Sequence, residues 1–304
     1  MEKKLTYFKE NLQIISMALP ALILTAIFSY WPMYGIILAF KNYTYRGGIW
    51  GSKWIGFKNF EFFFKSDDMW RVLRNTLGLN FMFIALGLVF AVGFALLLFE
   101  LKKPGHVKVY QTISILPHFI SWVVVSYMVY ALLEDNAGLL NNLLIKLGLE
   151  PVHWYAEPKV WPAILAIVKL WHETGMGCII YYAALMGMDS QLMEAAELDG
   201  ARKWQRIRYV ALPHLVPIIT IRTIMNIGGI FRSDFGLFYN VTRDLGVLYP
   251  TTDVIDTYVY RALMGMGNVG MSTAVGLFQS LVCFATLMIT NAIVKKVSPE
   301  NTLF

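Results

Sequence analysis

Residues 76–99 read TLGLNFMFIALGLVFAVGFALLLF, a run without one charged side chain. A helix rises about 1.5 Å per residue and a bilayer's hydrocarbon core is about 30 Å thick, so this run is long enough to span it. Its apolar residues do not alternate with period two, which argues against a barrel strand. Working outward, residues 11–40, 109–133 and 269–293 are equally free of charge. Two further runs are interrupted. Residues 161–188 carry Lys169, His172 and Glu173, and residues 212–231 carry Arg222. The pattern predicts an all-α membrane protein. Six transmembrane helices are expected, at 12–40, 76–99, 109–133, 161–188, 212–231 and 269–293, within one domain covering 1–304.

Composition supports this class. The 304 residues are 57% hydrophobic and 15% charged, against about 25% charged in soluble domains. Mean hydropathy is +0.53. Length alone would allow roughly two soluble domains, but the apolar runs override that prior. The net charge of +6 does not point to nucleic acid: there is no long basic block, zinc spacing or RNA-binding aromatic signature. Cys178 and Cys283 sit inside apolar runs and read as small buried hydrophobes, with no disulfide framework or metal site. Residues 1–10 are polar and basic, and the run after them is too long for a signal-peptide core, so it is expected to be a retained first span.

An even number of spans puts both termini on one side. Lys3, Lys4 and Lys9, then Lys102, Lys103 and Lys108, then Arg202, Lys203, Arg206 and Arg208, and finally Lys295 and Lys296 crowd short segments against span ends. Basic residues so placed mark the cytoplasmic side. Both termini are therefore expected in the cytoplasm. Trp31, Tyr34, Trp50, Trp54, Trp70, Trp154 and Trp161 fall near the opposite boundary, where amphipathic rings settle. There, residues 55–74 form an aromatic, helical-looking stretch that could bind a partner, lie on the bilayer or pack against span ends. Pro117 is expected to kink the third span. His118 beside it reads as a helix-packing residue.

The connection between the fourth and fifth spans, residues 189–213, reads DSQLMEAAELDGARKWQRIRYVALP. Asp189 or Ser190 can cap a helix start, and 191–199 is rich in helix formers. Gly200 permits a sharp turn, residues 201–209 can resume as a second short helix, and Pro213 can open the next span. Ala195 and Ala196 leave a low surface with Glu194 beside them. The physics leaves open a docking surface or a plain surface hairpin.

Glu194-Ala195-Ala196, then Gly200-Ala201, then Leu212-Pro213 resembles the cytoplasmic signature loop of binding-protein-dependent ABC importer permeases. Pro32-Met33-Tyr34-Gly35, Ala39-Phe40-Lys41 and residues 56–60 extend the similarity to the maltose-type carbohydrate class. So do residues 234–236, Tyr239-Asn240, residues 249–258, Gln279-Ser280, Asn291 and the ending Leu303-Phe304. More narrowly they resemble the subgroup associated with complex sugars and polysaccharide fragments. The resemblance implies a type I importer permease in a bacterial cytoplasmic membrane. It implies a second permease subunit, two ATPase subunits, an extracellular sugar-binding protein and a surrounding membrane lipid phase as partners. It also makes Glu194, Ala195, Ala196, Asp199, Gly200 and Ala201 the coupling contact with an ATPase.

This chain itself is expected to be non-catalytic. No phosphate-cradling Gly-x-x-x-x-Gly-Lys-Ser/Thr loop occurs, so ATP and magnesium would bind the partner ATPases and no cofactor would bind here. Charges at membrane depth are expensive and usually functional or paired. Lys169 and Glu173 are spaced to pair on one helix face, and Arg222 is expected to contact a neighbouring helix. Sugar sites combine stacking rings with polar groups. Asn226, Arg232, Asp234, Phe235, Phe238, Tyr239 and Asn240 are the candidates for lining a passage, helped by Gly228 and Gly229 loosening or packing the fifth span. The alternatives are a permease for a non-sugar solute, a membrane-embedded enzyme, which lacks a catalytic cluster here, and a channel, which lacks a filter-like loop.

Overall fold

A computed structural model describes residues 11–101 and 103–302. Segment 1–10 with Lys3, Lys4 and Lys9, as well as Lys102 and Leu303-Phe304, lie outside the described residues. Ten helices carry the argument: α1 (Leu12–Thr25), α2 (Asp68–Phe99), α3 (Pro104–Ile115), α4 (Trp122–Leu133), α5 (Trp161–Met186), α6 (Ser190–Leu198), α7 (Lys203–Arg206), α8 (Leu212–Gly228), α9 (Ile255–Met264) and α10 (Val269–Val297). Among the described residues the strands reduce to one short antiparallel pair, Lys41–Asn42 with Lys53–Trp54.

Continuous helical stretches long and apolar enough to cross a membrane are Ile15–Phe40, Asp68–Phe99, Pro158–Met186, Lys203–Gly228 and Val269–Val297. The third predicted span is broken. Pro104–Phe119 and Trp122–Leu133 together have the composition of a span but meet at 98°. Pro117 lacks an N–H and crowds the preceding turn, and the chain there narrows to a 3-10 turn, Leu116–Phe119. The helix restarts after Ser121, whose Oγ accepts from the Val124 N–H at 3.4 Å. The expected kink is thus a full interruption. At the second span, α2 starts at Asp68 rather than 76, because Arg71 and Arg74 end the apolar stretch without ending the helix.

The chain divides into two compact units, Met1–Lys65 with Ala262–Leu277, and Ser66–Arg261 with Phe278–Phe304. In the first, Phe40 stacks on Trp54 at 5.7 Å and touches Phe57 and Phe60. Asn59 Nδ2 donates to the carbonyls of Ala39 and Lys41 at 2.9 and 3.0 Å. A Cβ on Gly270 would lie 2.6 Å from that nitrogen, so only glycine fits. The aromatic stretch expected to be one helix is instead a short helix, Lys58–Phe64, and then the separate start of α2. Phe63 is buried and Phe57 exposed.

In the second unit, Leu79, Phe83, Val125, Val129, Trp161, Leu165, Leu237 and Phe238 belong to one core cluster. Ala91, Ala95, Leu98, Cys178, Tyr181, Leu185 and Leu215 belong to another. Lipid tails are as apolar as leucine, so small residues that allow close contact matter most between spans. At Gly175 an added Cβ would lie 1.9 Å from the Ser114 carbonyl oxygen, so α5 meets the end of α3 backbone to backbone. Trp161 is the first residue of α5. It is wholly buried, its Nε1 donates to the Trp154 carbonyl at 2.8 Å, and Trp154 Nε1 donates to Asn141 Oδ1 at 3.0 Å. An indole N–H must find a partner as it is buried, and here the partners lie in the connection 134–157, Asn141 within its short helix Leu139–Lys146. Trp31, Trp50, Trp54 and Trp70 are exposed.

The connection after α8 is held by buried charge. The Asp253 carboxylate is fully buried, accepts from Arg71 Nη2 at 3.0 Å and from Thr257 Oγ1 at 3.1 Å, and pairs with Arg261. Arg261 also reaches Asp244 at 2.9 Å and lies over the Tyr249 ring. Removing one member of such a network would leave a buried charge uncompensated.

Candidate functional site

Two features combine unusual backbone with chemistry-bearing side chains. The first is the elbow between α5 and α8. Asp189 Oδ1 accepts from the Gln191 N–H at 3.0 Å and starts α6. The helix stops at Gly200, whose φ of +77° is a conformation side chains resist. The Ala201 N–H donates to the Ala196 carbonyl and the Gly200 N–H to the Glu197 carbonyl, at 3.0 and 3.1 Å, the paired closure of a Schellman stop. The chain reverses into α7, where the Arg202 N–H donates to Gln205 Oε1 at 2.7 Å. A π-turn, Ile207–Ala211, leads into α8. Arg206 pairs with Glu197 and ties the two arms together. Glu194, Ala195, Asp199 and Gly200 are exposed, and Ala196 and Ala201 half-exposed. Leu198 is 89% exposed and Trp204 68%. A rigid, capped elbow thus presents large apolar side chains beside a flat alanine surface.

The second feature is the exit of α8. The helix ends at Gly228, and the following carbonyls are satisfied from other helices. Asn80 Nδ2 of α2 donates to the Ile230 and Arg232 carbonyls at 2.8 and 3.0 Å. Gln279 Nε2 of α10 donates to the Phe231 carbonyl at 2.7 Å and to Asp256 Oδ2 at 3.1 Å. Asp256 Oδ2 also accepts from the Ser233 N–H at 2.7 Å. Burial pushes the Asp256 carboxyl above its ordinary range, against the opposing pull of those hydrogen bonds. Gly228 serves close packing rather than loosening: a Cβ there would lie 2.7 Å from Leu287.

A cavity of about 360 Å³ lies among α2, α5, α8 and this exit. Its polar lining includes Asn80, Lys169, Glu173, Arg222, Asn226, Arg232 and Asp234. The expected Lys169–Glu173 pair is replaced by another. Lys169 Nζ lies 3.6 Å from Asp234 Oδ2, while Glu173 Oε1 lies 3.4 Å from His172 Nδ1. A same-face helix pair is worth only a few tenths of a kcal/mol, so a carboxylate brought in by the irregular exit captures the lysine. Arg222 is hydrogen-bonded to Tyr181 of α5, the neighbouring-helix contact expected of it.

Of the expected passage residues, Asn226, Arg232 and Asp234 line the cavity. Phe235 and Tyr239 stack at 4.9 Å and both meet Tyr260, forming an aromatic trio next to Asp234. Phe238 is core, 1% exposed and packed on Phe83. Asn240 donates to the Gly236 carbonyl at 2.9 Å and caps its own turn. The sequence reading did not select Asn80 or Tyr181. Asn80 carried a signal, as an amide inside an otherwise apolar span.

Residues 107–299 match the family model described as binding-protein-dependent transport system inner membrane component. Protein LplB of Bacillus subtilis (strain 168) is 34% identical over 96% of this chain and 92% of its own length. The polygalacturonan/rhamnogalacturonan transport system permease protein YteP of the same organism is 34% identical over 94% of this chain and 88% of its own. Among solved structures, a chain of a bacterial ABC transporter involved in the import of the acidic polysaccharide alginate superposes with a TM-score of 0.89 at 32% identity, covering 97% of this chain and 99% of that one. A bacterial alginate ABC transporter in complex with an alginate pentasaccharide-bound periplasmic protein gives 0.87 at 32% identity, covering 96% and 97%.

Proposed function

This chain belongs to the family of binding-protein-dependent transport system inner membrane components, and from that premise we propose that it translocates an oligosaccharide across a bacterial cytoplasmic membrane. It is a multi-pass permease subunit of an ATP-driven importer. It pairs with a second permease and two ATPase subunits and receives sugar from an external binding protein. The whole chain acts as one permease domain with both termini in the cytoplasm. It does no covalent chemistry, and ATP and magnesium bind the ATPase subunits.

The observation that carries this reading is the elbow at 189–213. Its cap, its Schellman stop and the Arg206–Glu197 tie make α6 and α7 a stiff lever ending in exposed apolar side chains. ATP-driven closure of the ATPases would move α6, and α8 follows directly through the π-turn. The cavity beside the α8 exit then changes access, a two-state switch. Lys169, Arg222 and Arg232 against Glu173 and Asp234 leave that cavity with a surplus positive charge, which suits an anionic saccharide. The names of YteP and of the alginate importers support the same class.

The test is a cysteine at position 195. Ala195→Cys in the assembled transporter should crosslink to an ATPase subunit, with a yield that changes when ATP is added. Labelling of that cysteine by an impermeant reagent from outside intact cells would overturn the reading.

A further inference from the structure

The break in the third span sets two histidines that neither the elbow nor the α8 exit uses against Glu173 of the cavity lining. His118 lies in the 3-10 turn Leu116–Phe119 just before the 98° bend, and His172 and Glu173 follow each other on α5. One ligand atom from each lies within 4.8 Å of the others. His172 is 4% exposed. Its Nε2 sits 3.0 Å from the Ile120 carbonyl oxygen and so carries the ring proton. In the neutral ring Nδ1 then offers its lone pair, and it is buried with no hydrogen-bond partner and 3.4 Å from Glu173 Oε1. His118 Nδ1 is likewise buried without a partner. Two electron-pair donors thus face each other across a gap, with a third unmatched ring nitrogen beside them.

We propose that His118, His172 and Glu173 form a binding site for one divalent transition-metal ion, Zn²⁺ in the first instance, at the edge of the cavity. Two imidazoles and one carboxylate are a zinc-type donor set, whereas calcium and magnesium need a cage of oxygens. With bonds of about 2.0–2.1 Å, tetrahedral zinc ligands lie roughly 3.4 Å apart, the separation His172 Nδ1 and Glu173 Oε1 already have. The three donor atoms lie within 4.8 Å of one another, so the site has to draw in His118 to hold one ion. The Nε2–H bond to Ile120 does what an outer partner of a metal-bound histidine does: it sets the tautomer and holds the ring. Trp122, stacked on the same imidazole at 4.1 Å, fixes the ring plane. Glu173 itself lines the cavity. A metal here crosslinks the turn before the bend to α5. It would hold that break in one arrangement and slow transport whenever the break has to move.

The assembled transporter, free of nucleotide and of any affinity tag, is titrated with ZnCl₂ by calorimetry in excess magnesium. Cobalt absorption serves as a second readout, because its visible spectrum reports nitrogen coordination. We expect one saturable site per copy of this chain. His118→Gln and Glu173→Gln should each weaken it at least about tenfold, and H118Q should keep metal-free uptake while relieving zinc inhibition. Gel-filtration behaviour and tryptophan emission report folding, and if E173Q fails to fold, H118Q alone decides. No binding to the wild type, or equal affinity and stoichiometry in the wild type and H118Q, would overturn the site, binding of the second kind being adventitious.

Discussion

At the residue scale, two positions show how much depends on single atoms. Gly175 faces the Ser114 carbonyl across a gap that a methyl group would overfill by well over an ångström. Because the obstacle is backbone, it cannot rotate away. Gly175→Ala should therefore destabilise the α3–α5 contact by about 1–3 kcal/mol, the ordinary cost of overpacking, and lower the detergent melting temperature. Gly276, with open space at its Cβ, should tolerate the same change. Asp256 makes a pH prediction. Its folded carboxyl is shifted upward by burial, so the ionised form costs stability at neutral pH. That cost falls as pH drops through the raised value toward the usual carboxylate range, and nothing further is gained below the unfolded value. The melting-temperature difference between wild type and Asp256→Asn should move in the wild type's favour as pH is lowered over that window. A flat difference would deny the shift.

At the element scale, the elbow is where local rules and the proposed coupling role meet. Gly200 needs a φ of +77° and proline is held near −65°, so Gly200→Pro must open the turn. Glu194 is exposed, so Glu194→Arg should leave the fold intact. Both should abolish ATP-driven uptake in proteoliposomes while the ATPases continue to hydrolyse ATP. Full uptake in both would remove the elbow from the mechanism. The elbow was legible in the sequence because every signal in it is short-range: a capping aspartate, helix formers, one glycine and one proline. The apolar spans were legible for the same reason. The complete break at Pro117 was readable only as a kink, since what turns a bend into a 98° corner is Ser121 recapping a new helix and His172 taking the Ile120 carbonyl. The second of those partners lies far away in sequence.

At the scale of the whole molecule, the cavity was legible in its parts and not in its pairings. Lys169, Glu173, Arg222, Asn226, Arg232 and Asp234 all stand out as polar groups in or beside apolar runs. That Lys169 meets Asp234 depends on how the α8 exit folds back, which no local pattern encodes. Phe238 shows the opposite error, an aromatic that looked available and is core. The pairing yields a prediction about cargo. Asp234→Ala frees Lys169 and adds net positive charge, so uptake of an acidic oligosaccharide should rise relative to a neutral one of the same length. Lys169→Gln should shift the ratio the other way. Identical ratios in both variants and the wild type, from competition assays with the assembled importer, would show that the cavity does not read charge. Tyr239→Ala should alter the preference among neutral sugars if the aromatic trio meets the cargo.

The latching of residues 230–233 by Asn80, Gln279 and Asp256 has a corollary for how such a chain can diversify. Each clasp counts positions along the strip, so adding or deleting one residue there would put every carbonyl out of step with its donor at once. Side chains around the chamber can be exchanged, but the tally of links between Gly229 and Asp234 has no room to vary.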